Sequence, residues 1–176
     1  PIMAANRLEM TSGANDTTRS AWANDKINVG AFSASFVYTV TSGAGGADGL
    51  TFCLQNVGLN ALGGGGGAMG YGTLANSFAL AFNIYASNTR GIRVLTGGTV
   101  TTPFFPIDPV LVGGNTDPIQ VKLNYAGGVL SAVFTDTVTS ASYSTNVTVD
   151  IPTAVGASTA YVGFTAATGG VNATQV

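Results

Sequence analysis

The chain has 176 residues, of which 14 are charged, 6 basic and 8 acidic, with a net charge of −2 and no histidine. An average globular chain is roughly a quarter charged, so solubility here rests on Ser, Thr, Asn and Gly, and one domain of this length buries a sufficient core without disulfides or metals. Arg7, Arg19, Lys26, Arg90, Arg93 and Lys122 form no basic stripe, which leaves nucleic acid without an electrostatic footprint, and no apolar run approaches the ~18 residues that span a bilayer.

Period-two alternation recurs along the chain, and helical spacing does not. Phe32, Ala34, Phe36, Tyr38 and Val40 alternate with Ser33, Ser35, Val37 and Thr39, the pattern of a half-buried strand. Ala47 to Tyr85 then opens with Ala47-Asp48-Gly49, runs through a buried strand, passes the five glycines Gly63 to Gly67 and ends a second strand in Phe82-Asn83-Ile84-Tyr85. Cys53, the only cysteine, lies inside Leu50-Thr51-Phe52-Cys53-Leu54 and reads as a small buried hydrophobe. Strands of one type flank the glycine run closely, so it reads as a loop within one domain rather than a linker.

Pro103, Pro106 and Pro109 sit among apolar residues between Thr99 and Gly114, which predicts an extended connection packed on the sandwich. Ile119, Val121, Leu123 and Tyr125 alternate with Gln120, Lys122 and Asn124; Ala126-Gly127-Gly128 is a turn signal, and Val129 to Thr135 reads as the returning arm of a hairpin. Thr145, Val147, Val149 and Ile151 predict one face of a further strand that Pro152 stops. Many short strands with Gly-rich turns predict an all-β antiparallel sandwich over residues 1–176, without substantial helix.

Four segments in order carry a family resemblance: Asn6 to Thr11 with Ser20-Ala21-Trp22 and Phe32 to Val40; the Ala-Asp-Gly step; the glycine loop with Phe82-Asn83-Ile84-Tyr85; and Ile151-Pro152 followed by Tyr161 to Gly170. This order resembles the L-type (legume-like) lectin domains, and their bacterial branch in particular. The resemblance implies a concanavalin A-like jelly roll with a shallow sugar site at one end. It implies Asp48, after a cis peptide from Ala47, as the acceptor for sugar hydroxyls, Gly66 and Gly67 as the loop whose N–H groups meet the sugar, and Thr168, Gly169 and Gly170 as the rim. From the residues alone, Asp48-Gly49 is equally a turn dipeptide bonding its own backbone, and the glycine run equally a surface loop.

The resemblance breaks at the metal. Where the family has a Glu-X-Asp pair of calcium and transition-metal ligands, this chain has Ala81 and Asn83; Ser87 stands at an expected Asn, with Asn88 next to it. Calcium needs six to eight oxygens, several of them anionic, so no metal and no other cofactor is expected. Asn83 or Asn88 is then expected to support Asp48 through amide hydrogen bonds. Catalysis lacks its residues as well, with no Cys-His pair, no nucleophile elbow and no paired acidic motif among Glu9, Asp16, Asp25, Asp48, Asp108, Asp117, Asp136 and Asp150.

The expected function is therefore a non-catalytic, extracellular or cell-surface carbohydrate-binding module, holding a glycan weakly or through multivalency. An alternative rests on the ends. Domains of this type continue past Gly169 to Gln175 into one more apolar strand and often have a strand before Arg7-Leu8; without them a sheet keeps unpaired edges beside an apolar groove. Either the chain is trimmed, or it is a structural subunit of a filament, sheath or surface layer that assembles as a homopolymer by strand complementation.

Overall fold

A computed structural model describes every residue except Ala5, Gly43, Ala44, Gly45 and Leu111, and the side chains of all those but Ala4 and Ser42. In chain order the strands are β1 (Ile2–Ala4), β2 (Arg7–Glu9), β3 (Thr11–Ser12), β4 (Thr18–Asn28), β5 (Phe32–Tyr38), β6 (Val40–Ser42), β7 (Gly49–Gln55), β8 (Ser77–Asn83), β9 (Gly91–Thr96), β10 (Ile119–Ala126), β11 (Val129–Asp136), β12 (Ser142–Thr148), β13 (Thr159–Ala167) and β14 (Thr174–Gln175). One short helix, α1 (Ile151–Val155), lies between β12 and β13. The sandwich packs a five-stranded sheet, β4-β13-β7-β8-β9, on a four-stranded one, β12-β11-β10-β5, while β3-β14-β6 and β1-β2 form smaller ribbons. All pairings are antiparallel, as the alternation predicts.

Aromatic side chains fill the space between the two sheets. Phe36 of β5 stacks on Phe52 of β7 with centroids 5.8 Å apart, and meets Phe164 of β13 edge-on at 5.1 Å. Phe82 of β8 reaches Phe134 of β11 edge-on at 6.0 Å, so each sheet sends rings into the other's layer. The opposite face of the five-stranded sheet is also covered. Cys53, Ala79, Ala81 and Leu95 lie under Ala61, Met69, Tyr71 and Leu74 of the segment joining β7 to β8, and the Trp22 indole N–H donates to the Ala61 carbonyl at 2.9 Å. This double cover explains why β7 and β8 are buried at every residue and lack polar alternation. Cys53 is fully enclosed, and burial pushes its thiol pKa up, which leaves it inert.

Two predicted strands end earlier than their alternation does. The strand from Phe32 to Val40 divides at Thr39: Tyr38 faces Ile119 in β10, whereas Val40 pairs with Gln175 of β14. Pro118, next on β10, turns its carbonyl to the Thr137 N–H on the β11 side at 3.0 Å, so the ladder with β5 closes at the Tyr38–Ile119 pair. Thr39 instead exchanges both backbone hydrogen bonds with Val176, at 2.9 and 3.0 Å. The second strand stops at Thr148, and Ile151 belongs to α1 rather than to a strand face. Pro152 reads as a strand stop but also suits the first turn of a helix. Here Asp150 caps that turn by accepting from the Thr153 N–H, and Gly156 closes it at φ 72°.

The Pro-rich connection packs on the sandwich as predicted, burying Phe104, Ile107, Val110 and Val112, with cis bonds before Pro103 and Pro109. Phe82 is the ring on which the interlayer contacts converge, touching Phe36, Tyr38 and Phe134. Truncating it leaves a cavity between layers that cannot close by a local shift. Phe82→Ala is expected to cost about 3–5 kcal/mol, read as a lower denaturant midpoint with an unchanged slope.

Candidate functional site

Asp48 stands at the entrance to β7, held from both sides. Its N–H donates to the Ala167 carbonyl at the end of β13, and its carbonyl accepts from the Ile84 N–H just past β8, both at 3.0 Å. The peptide from Ala47 is cis, as the family resemblance implies. Gly49 follows because a side chain is impossible there: a Cβ would stand 2.1 Å from the Phe82 carbonyl oxygen. The Asp48 carboxyl is largely buried, its Oδ2 has no hydrogen-bond partner, and burial holds its pKa above the usual 3.8. A buried acceptor without a donor costs free energy until something supplies one.

Around this carboxyl the fold gathers glycines from two distant segments. A methyl built on Gly66 would lie 3.8 Å from Oδ2, and one on Gly67 3.9 Å from Oδ1. Gly169 is nearer still, since a Cβ there would stand 3.1 Å from Oδ2 and crowd it. The glycine run is an ordered structure, pinned by Gly63 N–H to the Gly70 carbonyl (2.7 Å), Gly70 N–H to Gly64 (2.7 Å) and Gly64 N–H to Gly72 (2.9 Å). Gly66 to Ala68 form a single 3-10 turn, whose opening N–H groups have no acceptor within the turn. Below it, the Thr165 hydroxyl donates to the Met69 carbonyl and lies 2.8 Å from the Thr51 hydroxyl, which ties the loop to the centre of the sheet.

The predicted rim residues divide by role. Thr168 is fully buried; its hydroxyl donates to the Ala14 carbonyl at 2.7 Å and accepts from the Thr17 N–H at 3.0 Å. Gly169 accepts from the Asp16 N–H at 3.1 Å, and Gly170, exposed, accepts from the Asn15 amide at 3.3 Å. The segment 14–17 therefore borders the site beside Gly169 and Gly170, a placement that nothing in the sequence reading assigned. Its only signal is the turn composition Ser-Gly-Ala-Asn-Asp at 12–16. Met69 and Thr165, which anchor the glycine loop, were equally invisible because their roles are long-range.

Asn83 and Asn88 lie on the third side. Asn83 is buried, and its amide donates to the carbonyls of Tyr85 (2.8 Å) and Thr89 (2.9 Å). Both donors thus fasten the 85–89 loop rather than Asp48, whose support comes from backbone. Asn88, half-buried, ends the short turn Ala86–Asn88 within that loop. Ala81 is sealed beneath the glycine loop. Among the described residues no three His, Cys, Asp or Glu side chains gather as a metal-binding group.

No protein-family model matches the chain. Solved structures share its fold. The lectin from Bauhinia forficata in complex with GalNAc aligns at TM-score 0.79 and 18% identity, over 99% of this chain and 85% of that one. Arcelin-5, a lectin-like defence protein from Phaseolus vulgaris, aligns at 0.77 and 18%, over 99% and 85%. The metal-free form of lectin I-B4 from Griffonia simplicifolia aligns at 0.76 and 18%, over 98% and 86%. The chain therefore has the L-type lectin jelly-roll fold; identities this low establish the fold alone.

Thr168 makes a prediction that separates rim from core. Thr168→Val keeps the shape but leaves the Thr17 N–H and Ala14 carbonyl without their partner, a loss of about 1–2 kcal/mol. Hydrogen exchange is expected to rise at 14–17 while β7 and β8 keep their protection.

Proposed function

We propose that this domain is a non-catalytic glycan-binding module that works without calcium and acts outside the cell or on its surface. The observation that carries this reading is the buried, unpartnered Asp48 Oδ2, with Gly66 and Gly169 beside it and Gly67 beside Oδ1. A sugar hydroxyl donating to that oxygen would supply the missing partner, and a hydroxyl bonded to a carboxylate is among the stronger neutral-ligand contacts. The opening N–H groups of the Gly66 turn would donate to a second hydroxyl oxygen. Gly169, Gly170 and the 14–17 segment would form one wall and the Asn88 loop the other. Sugar complexes exist among the fold's neighbours, such as the GalNAc-bound Bauhinia lectin.

The same donor set argues against calcium. Asp48 supplies the site's one buried carboxylate, the Asn83 amide donors are spent on loop carbonyls, and a methyl group stands at Ala81. That is too few anionic oxygens for a hard cation. Calcium or EDTA is accordingly expected to leave the melting temperature unchanged; a marked rise with calcium would refute this part of the reading. No helix among the described residues is long and apolar enough to cross a membrane.

A glycan array probed with a multivalent form of the protein tests the binding. The expected outcome is retention of particular glycans by the native chain and loss by Asp48→Asn; equal retention by both would overturn the site. The raised Asp48 pKa adds a pH signature. Folding favours the protonated acid, so this group's contribution is complete below the usual 3.8 and is lost as pH rises through its elevated folded value. Asp48→Asn should therefore flatten that part of the stability profile and melt no lower than the native chain at neutral pH. Binding should run the opposite way and weaken as acidification protonates the acceptor.

A further inference from the structure

The wall that the 14–17 segment forms with 168–172 continues past the residues that surround Asp48. The Thr168 N–H donates to the Thr17 carbonyl at 2.8 Å and the Asp16 N–H to the Gly169 carbonyl at 3.1 Å, so the two segments lie side by side. At the outer end the Asn15 amide donates to the Gly170 carbonyl at 3.3 Å, and the Asn172 amide donates to Asn15 Oδ1. Two asparagine side chains 157 positions apart are thereby joined at Gly170, one residue beyond the Gly169 that stands against the Asp48 carboxyl.

Holding the wall does not use up this pair. An asparagine amide offers two N–H donors and an oxygen that accepts twice. Asn15 commits one N–H to Gly170, and Asn172 commits one to Asn15; among the described residues the second N–H of each, and the Asn172 oxygen, bond to no protein atom. Asn15 is exposed and Asn172 half-buried, so these groups are open to a ligand while their bonds to the wall fix their direction. The backbone from the carboxyl to the pair carries no side chain at 169 or 170. A Cβ on Gly170 would meet nothing within 4 Å, and Val171 next to it is 48% exposed.

We propose that Asn15 and Asn172 form a second sugar subsite, so that the ligand is a neutral glycan of at least two units. One unit sits on Asp48, and the next lies across Gly170 with its hydroxyls on the two amides. This inference rests on the glycan reading of Asp48 and adds to it the size and charge of the ligand. A sugar ring carries hydroxyls that both donate and accept, which matches the mixed set on the pair, and C–H faces that suit an exposed valine. Residues 12–17 and 165–172 contain no Lys or Arg, and Asp16 adds a second acid. Beside the Asp48 carboxylate that balance turns away an anionic sugar, because like charges brought together are costly.

NMR titration of the full chain tests the proposal, with galactose, N-acetylgalactosamine, glucose and mannose as single units and lactose, maltose, cellobiose and mannobiose as pairs. At least one disaccharide is expected to bind about 5- to 10-fold tighter than either of its units, the gain of one or two added hydrogen bonds, and to shift the side-chain amide signals of Asn15 and Asn172. Asn172→Ala keeps the Asn15 bond to Gly170 and the backbone bonds of the wall; it should abolish that gain while leaving the melting temperature and the monosaccharide affinity as they are. Disaccharides that bind no tighter than their units overturn the subsite and leave the glycan reading standing. So does a variant that keeps the full gain, or one that weakens single units and pairs alike, which would limit the pair to holding the wall. A native chain that binds none of these sugars, in an assay that detects millimolar affinity, removes the glycan reading and this inference with it.

Discussion

The two backbone hydrogen bonds of Asp48 fix it between two walls of the candidate site. One ties it to Ala167, where β13 ends and the chain turns into Thr168, Gly169 and Gly170; the other ties it to Ile84, where β8 ends and the Asn88 loop begins. Because β7 lies between β13 and β8 in the sheet, the same side of three adjacent strands delivers the acceptor and two of its walls together. The glycine loop, which leaves β7 at its far end, returns across the face of the sheet. Its anchor is the Thr51–Thr165 pair with Met69, one cross-strand neighbour pair in the β7–β13 register. A surface built on strand ends in this way is held in place by the sheet itself.

That geometry constrains composition far from the ligand. The loop crosses a sheet face that elsewhere in such a sandwich would meet water, so β7 and β8 must be apolar on both sides. The small residues Cys53, Ala79 and Ala81 admit the loop closely. Ala81 therefore has a packing role. A longer side chain there would have to displace Met69 or Tyr71, both of which are fully buried.

The fold was legible wherever one face alone is buried. Alternation located β5, β10 and β11 because each packs a single side on the aromatic layer, and hydrophobic period then reports the fold directly. It failed at Thr39 and at Ile151 because the deciding contacts, the Val176 partner strand and the turn that Asp150 caps, are not contained in the local pattern. The carboxyl and its glycines were legible as a motif order, since close backbone approach admits glycine and little else, as at Gly49 and Gly169. The 14–17 segment was not. Its contacts with Thr168 and Gly170 span about 150 residues of chain and involve backbone groups that any turn could offer.

Uncharged groups keep the 48 and 83–89 regions in shape: the Asn83 amide closes its own loop, and backbone bonds to Ala167 and Ile84 hold Asp48. Amide-to-carbonyl bonds contribute about 1 kcal/mol each, but they need no bound ion and no deprotonation to form. Asp48 Oδ2 stays without a hydrogen-bond partner, one of three such buried atoms among the described residues, with Arg19 Nη1 and Asn56 Oδ1. At Gly66 and Gly169 the wall beside that oxygen is glycine, which lets backbone come close without adding bulk.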